Sequence, residues 1–114
     1  MAQKELTMPR VCGVELKSSE AILVVVEKSI NSIDLIDTKP KKLKIDDDEN
    51  SAEIRAFFDA IVEFIRVNNI DAIALKKRAK KGKMAGGSVS FKLETIIQLN
   101  GIIDTVFVSG QGIA

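Results

Sequence analysis

Residues 46–75 read DDDENSAEIRAFFDAIVEFIRVNNIDAIAL, and this stretch decides the fold. Ile54, Phe57, Phe58, Ile61 and Ile65 fall at i, i+3, i+4, i+7 and i+11, which sets them on one face of a helix. Acidic residues ahead of it suit the positive end of a helix, and Asn50 or Ser51 stands where a first-turn cap belongs. Asn68-Asn69 ends it. Residues 70–75 (IDAIAL) then form a short apolar run of strand character. A strand reached through a helical crossover is expected to lie parallel to an earlier one.

Upstream of the helix the segments are strands joined by short turns. Residues 11–16 (VCGVEL) and 21–27 (AILVVVE) flank a Lys17-Ser18-Ser19 turn, and the second run is nearly continuous in β-branched residues. Residues 33–36 and 43–45 suggest a third strand, interrupted at Lys39-Pro40, where proline restricts it to a sheet edge. These three make an antiparallel meander. Downstream, a second helix is expected over 88–99 with Val89, Leu93, Ile96 and Ile97 inward, stopped by Asn100-Gly101. Residues 103–108 form the last strand. The order β-β-β-α-β-α-β predicts an α/β (α+β) mixed sheet and matches the ribonuclease H-like fold, with sheet order 3-2-1-4-5.

Composition bounds the chemistry. At 114 residues, 46% apolar and 29% charged, the chain is read as one globular domain over 9–114, preceded by a mobile leader over 1–8. Cys12 is the one cysteine, which excludes an intrachain disulfide and any cysteine-cluster metal site. There is no histidine, which removes Ser-His-Asp and Cys-His nucleophiles, histidine-ligated zinc and the usual general base near pH 7. No apolar run reaches membrane-helix length and no signal-peptide core is present, so a cytoplasmic protein with no membrane partner is the expectation. Net charge is only +1, yet ten of the seventeen Lys and Arg fall within 39–44 and 76–83.

The residues VCGVELKSSEAILVVVE resemble the first hairpin of RuvC-type Holliday-junction resolvases. IDAIALKKRAKKGKMAGGSVSFKLETIIQL resembles their fourth strand, following loop and second long helix. VCGVELK, KGKMAGGSVSFKLE and IQL also resemble a family of small bacterial proteins known only as a domain of unknown function. Resemblance to a resolvase implies a nuclease that gathers carboxylates around Mg²⁺ or Mn²⁺. Glu15 matches the first of those carboxylates, whereas Lys76 aligns with the second, and the acidic pair belongs on a third helix that this chain lacks. An ammonium repels a divalent cation. The expectation is therefore no catalytic residue, no metal and no cofactor, with Glu15 vestigial and Lys76 paired to it as a pseudo-active site. Mg²⁺ or Mn²⁺ enters only if the chain is a divergent nuclease.

The basic run supplies the alternative. Lys76, Lys77, Arg78, Lys80, Lys81 and Lys83, followed by Gly86 and Gly87, begin where a strand ends, the place ligands take in open α/β sheets. Lysine dominates, which suits backbone phosphate rather than base reading. A solvated loop competes with that reading. Lys92 on the second helix is assigned to the same polyanion site, although ordinary surface charge also explains it. The lysines of 39–44 read as edge protection, and the acids of 46–49 as helix capping. Cys12 reads as a small buried hydrophobe.

Both helices are expected on one sheet face, leaving part of AILVVVE uncovered on the other and predicting a homodimer or a protein partner there. The leading expectation is a non-catalytic domain that binds nucleic acid, or another polyanion, through the loop after the fourth strand. A protein-interaction or regulatory module using the open sheet face is the alternative of a different class.

Overall fold

A computed structural model describes residues 9–77 and 87–108. Strands β1 (Arg10–Lys17), β2 (Glu20–Lys28), β3 (Ile33–Ile36) and β4 (Lys42–Lys44) precede helix α1 (Ser51–Val67). Strand β5 (Ala72–Lys76), helix α2 (Ser88–Gln98) and strand β6 (Thr105–Val108) follow. The sheet runs β3-β2-β1-β5-β6, with β4 also on β2. This is the expected 3-2-1-4-5 order, carried by a mixed sheet. β1 and β2 pair antiparallel over their whole lengths, and β5 joins β1 parallel, with Val14 opposite Leu75.

The third strand of the sequence reading is in fact two. β3 pairs Val25–Lys28 of β2, while β4 pairs Glu20–Ile22, so the chain passes along the same β2 edge twice. Lys39-Pro40 lies between them, where the chain leaves the ladder.

α1 starts as its sequence requires. The Asn50 side-chain oxygen accepts from the Ala52 and Glu53 amides, satisfying two of the donors a helix leaves unpaired at its start. The Glu53 carboxylate reaches back to the amides of Asp46 and Asp47. Its buried face holds Phe57, Ile61, Phe64 and Ile65, with Ile54 and Phe58 partly buried beside them. Phe64, absent from the expected stripe, is buried because the real stripe is wider than one row. Just past the end of α2 stands Asn100, which is buried. Its side-chain amide donates to the Ile97 carbonyl and its oxygen accepts from Ile102 and Ile103. Gly101 takes φ +78 in that turn, a conformation that favours glycine.

Every fully buried strand residue points to one side of the sheet. Cys12, Val14, Ala21, Leu23, Val25, Ile73 and Leu75 meet the helices there, alongside Leu93 and Ile97 of α2. Alternation along the strands sends Val11, Gly13 and Glu15, Ile22, Val24 and Val26, and Ala72, Ala74 and Lys76 to the opposite face. No described helix lies on that face. Val24, Ile33, Leu35 and Val106 are exposed.

Arg10 ties the far end of the sheet to the helical layer. Its Nε donates to Glu27 Oε2 at 3.0 Å, one guanidinium nitrogen donates to the Asn68 carbonyl at the end of α1, and its amide donates to Asp71. Cys12 is buried, and desolvation pushes its thiol up to about 12 against the opposing pull of a backbone hydrogen bond with Val24. It packs as a small hydrophobe and is not a reactive thiolate at neutral pH.

Candidate functional site

The two inner parallel strands end side by side. Because Val14 stands opposite Leu75, the next residues outward are Glu15 and Lys76, both on the helix-free face. Lys76 Nζ donates to Glu15 Oε2 at 3.0 Å, with each side chain a little over a third exposed. The structure thus brings these two residues together at the carboxyl ends of β1 and β5. A pair this exposed contributes about 0–1 kcal/mol to stability. Its interest is positional, since it puts an ammonium beside the Glu15 carboxylate.

The surroundings are held firmly. The Lys77 amide donates to the Val108 carbonyl at 2.7 Å, extending the β5–β6 ladder by one bond. Ser18 at the β1–β2 turn has a left-handed φ of 56, and its carbonyl accepts from Ser90 Oγ at 3.0 Å. That bond fastens the first turn of α2 to the hairpin beside Glu15. Gly87 precedes α2 with φ −105, and a Cβ built there would meet nothing within 4 Å. Neither conformation nor space requires glycine at that position.

The remaining expected site residues divide. Arg78, Lys80, Lys81, Lys83 and Gly86 lie outside the described residues, as do 1–8. Lys92 is engaged elsewhere: its ammonium donates to the Asp48 carbonyl and contacts Asp48 Oδ2, both at 2.9 Å. It anchors α2 to the loop ahead of α1 and sits in the helical layer, because it falls on the side of α2 turned toward α1 rather than toward the sheet end. A trench of about 580 Å³ opens between the two helices beside it, walled by Ile54, Phe58, Ile96 and Leu99.

Tertiary structure also gathers residues that sequence spacing keeps apart. Lys44 stands opposite Glu20 and Lys42 opposite Ile22, while Glu20 stands opposite Lys17 and Ile22 opposite Glu15. Lys42, Lys44, Lys17 and Lys76 therefore share one face at one end of the sheet. No local signal announces this, since the register of β4 on β2 brings 42–44 there.

A model of the family described as "Protein of unknown function (DUF3010)" matches residues 9–114. The chain belongs to this family. No curated protein matches it. Among solved structures, RuvC of T. thermophilus in complex with a Holliday junction substrate is similar at 10% identity, over 90% of this chain and 66% of that one, with a TM-score of 0.66. A second structure of Thermus thermophilus RuvC gives 10% identity, 88% and 63% coverage and a TM-score of 0.67. An Aquifex aeolicus member of the Ppx/GppA family gives 9% identity, 92% and 36% coverage and a TM-score of 0.51. This DUF3010 chain thus has the ribonuclease H-like fold of RuvC, and it spans about two thirds of the RuvC chains it matches.

The fold family implies a divalent metal, and the described residues do not fit one. No group of three Asp, Glu, Cys or His gathers among them. Glu15 has the Lys76 ammonium at 3.0 Å, where a hard cation needs a second oxygen ligand. No described helix is long and apolar enough to cross a membrane.

Proposed function

We propose that this protein is a non-catalytic ribonuclease H-like domain that binds nucleic acid through the end of the sheet where β5 leaves it. The observation that carries the reading is the Glu15–Lys76 pair at the ends of adjacent parallel strands. In a sheet of this kind that is where ligands sit. Here the position holds a cation, Lys76, where the resemblance to resolvases implies a metal-binding carboxylate. In sequence, Lys77, Arg78, Lys80, Lys81 and Lys83 continue the positive charge from that strand end. Lysine ammoniums act as point charges on phosphate, so binding is insensitive to base sequence and falls steeply with salt.

The test is binding of labelled duplex, branched and single-stranded DNA, and of RNA, across a salt series. A variant with Lys76, Lys77, Lys80 and Lys81 as Glu serves as control. Salt-dependent binding lost in the control supports the reading, and no binding at low salt ends it. Calorimetric titration with Mn²⁺ addresses catalysis separately. Micromolar uptake that disappears in Glu15→Ala would overturn the metal-free assignment.

A second reading has its own observation. Val24, Ile33, Leu35 and Val106 are exposed on the helix-free face, with Val26 and Val11 between them. An apolar face of this extent favours burial against a second copy through a two-fold axis, or against a protein partner. The two readings use different parts of the face and are compatible.

A further inference from the structure

The charged end of the helix-free face extends well past the end of β5. One row across the sheet reads Lys42, Ile22, Glu15, Lys76 over four adjacent strands, and the next reads Lys44, Glu20, Lys17. Lys42 and Lys76 are three strand spacings apart, about 14 Å. The cations of β4 are held loosely. Lys42 meets Glu20 at 3.8 Å and Lys44 meets Asp46 at 3.5 Å, with their side chains 63% and 59% exposed. Such contacts are screened and readily exchanged for another anion. Lys17 is exposed and has no ion pair among the described residues. Edge protection accounts for lysines on β4, but it does not account for Lys17 and Lys76, which lie on the inner strand β1 and on β5.

We propose that Lys17, Lys42 and Lys44 form, with Lys76, a single phosphate-binding track across the end of the sheet, and that its ligand is a nucleic-acid duplex. This rests on the nucleic-acid reading above and specifies its ligand. Two features select a duplex. The cations are spread across four adjacent strands of one sheet, with about 14 Å between Lys42 and Lys76, so they address several phosphates of one extended backbone at once. The face also carries no aromatic side chain. Phe57 and Phe64 are in the core, Phe58 and Phe91 lie in the helical layer, and Phe107 faces inward to the core. Single strands are held largely by stacking of bases on aromatic rings, and nothing here supplies it. Backbone phosphate contact alone is the mode by which a duplex is held without reading its sequence.

The experiment is fluorescence anisotropy of the full chain with a labelled duplex of roughly 20 base pairs, its single strand, and a matched RNA duplex, over a salt series. Three triple variants at positions 17, 42 and 44 are compared, to Glu, to Gln and to Arg, together with Lys76→Gln/Lys77→Glu. The track predicts at least about a tenfold loss for the Glu triple, a smaller loss for the Gln triple, and affinity retained in the Arg triple. The slope of log K against log salt should fall by about 2–3 in the Gln triple. Circular dichroism of each variant checks its folding, and all three positions are exposed.

If the Lys76/Lys77 variant loses binding while the Glu triple binds as wild type, the track is overturned and the strand-end reading stands. If neither matters and the wild-type chain binds no nucleic acid at low salt, both fall. Single strand bound as tightly as duplex would overturn the duplex assignment.

Discussion

The two faces of this sheet are built from the same strands and have opposite fates. On the inner face Val14, Leu75, Leu93 and Ile97 are almost completely buried, and two helices close over them. On the outer face the alternate residues of those strands are half-buried or exposed, apolar toward β3 and charged where β1 and β5 end. Alternation alone would put a hydrophilic surface opposite a covered one. β2 does not follow it: Ile22, Val24 and Val26 face outward just as Leu23 and Val25 face inward. A strand apolar on both sides, in a sheet covered on one, points to a second surface of contact. The lysines at the opposite end point to contact of a different chemistry.

The comparison breaks first on stability. Leu75→Ala empties a fully buried site, and chemical denaturation should show a loss of about 2–5 kcal/mol. Val24→Ser on the outer face should cost much less in a monomer, within about 0.5–1 kcal/mol. An equal cost at both positions would mean that the outer face is already covered in the folded unit.

Alkaline titration sharpens the picture of the inner face. The Cys12 thiol is pushed up to about 12 by burial, so it stays neutral in the folded chain while an unfolded chain ionises from about pH 9. Below pH 9 this thiol contributes no pH dependence. Between about 9 and 12 stability falls, by on the order of 1 kcal/mol per pH unit. Cys12→Ala should lose that portion of the alkaline slope, measured as the difference between the two denaturation series. In the native wild type, alkylation at pH 8 should be slow compared with the unfolded chain.

Self-association tests the apolar half of the outer face. Leu35→Lys together with Val24→Lys should shift a concentration-dependent dimer to monomer in light scattering, with the unfolding midpoint of the monomer nearly unchanged. A wild-type chain that scatters as a clean monomer at high concentration would remove the self-association reading.

The smallest effect belongs to the pair at the charged end. A double-mutant cycle on Glu15→Gln and Lys76→Met should give a coupling under about 1 kcal/mol, because both side chains keep contact with water. A larger coupling would make the pair a structural element rather than a surface one.

Much of the fold is legible in the chain itself because its signals are local. The stripe from Ile54 to Ile65, the Asn50 cap, the Asn100-Gly101 stop and the short turns between early strands each depend on residues a few positions apart. Their order then limits the topology, since a helical crossover returns a strand parallel and short turns return it antiparallel. The pairing of Glu15 with Lys76 follows from that topology once β1 and β5 are neighbours, which is why a residue 61 positions away was within reach of sequence reasoning.

Registers and side-chain directions are not local. Two runs that resemble one interrupted strand become β3 and β4 because both find room on the same edge of β2. Lys92 turns to Asp48 because helix packing, not helix periodicity, sets which surface of α2 meets the loop before α1. Arg10 reaches Glu27 and Asn68 across three elements for the same reason. By itself the sequence determined the two helices, the order of the main strands, most of the buried faces and the absence of histidine or disulfide chemistry, all fixed by residue type and short spacing. Only the tertiary structure decided that lysines 17, 42, 44 and 76 occupy one end of one face, because strand register joins positions that no periodicity along the chain connects.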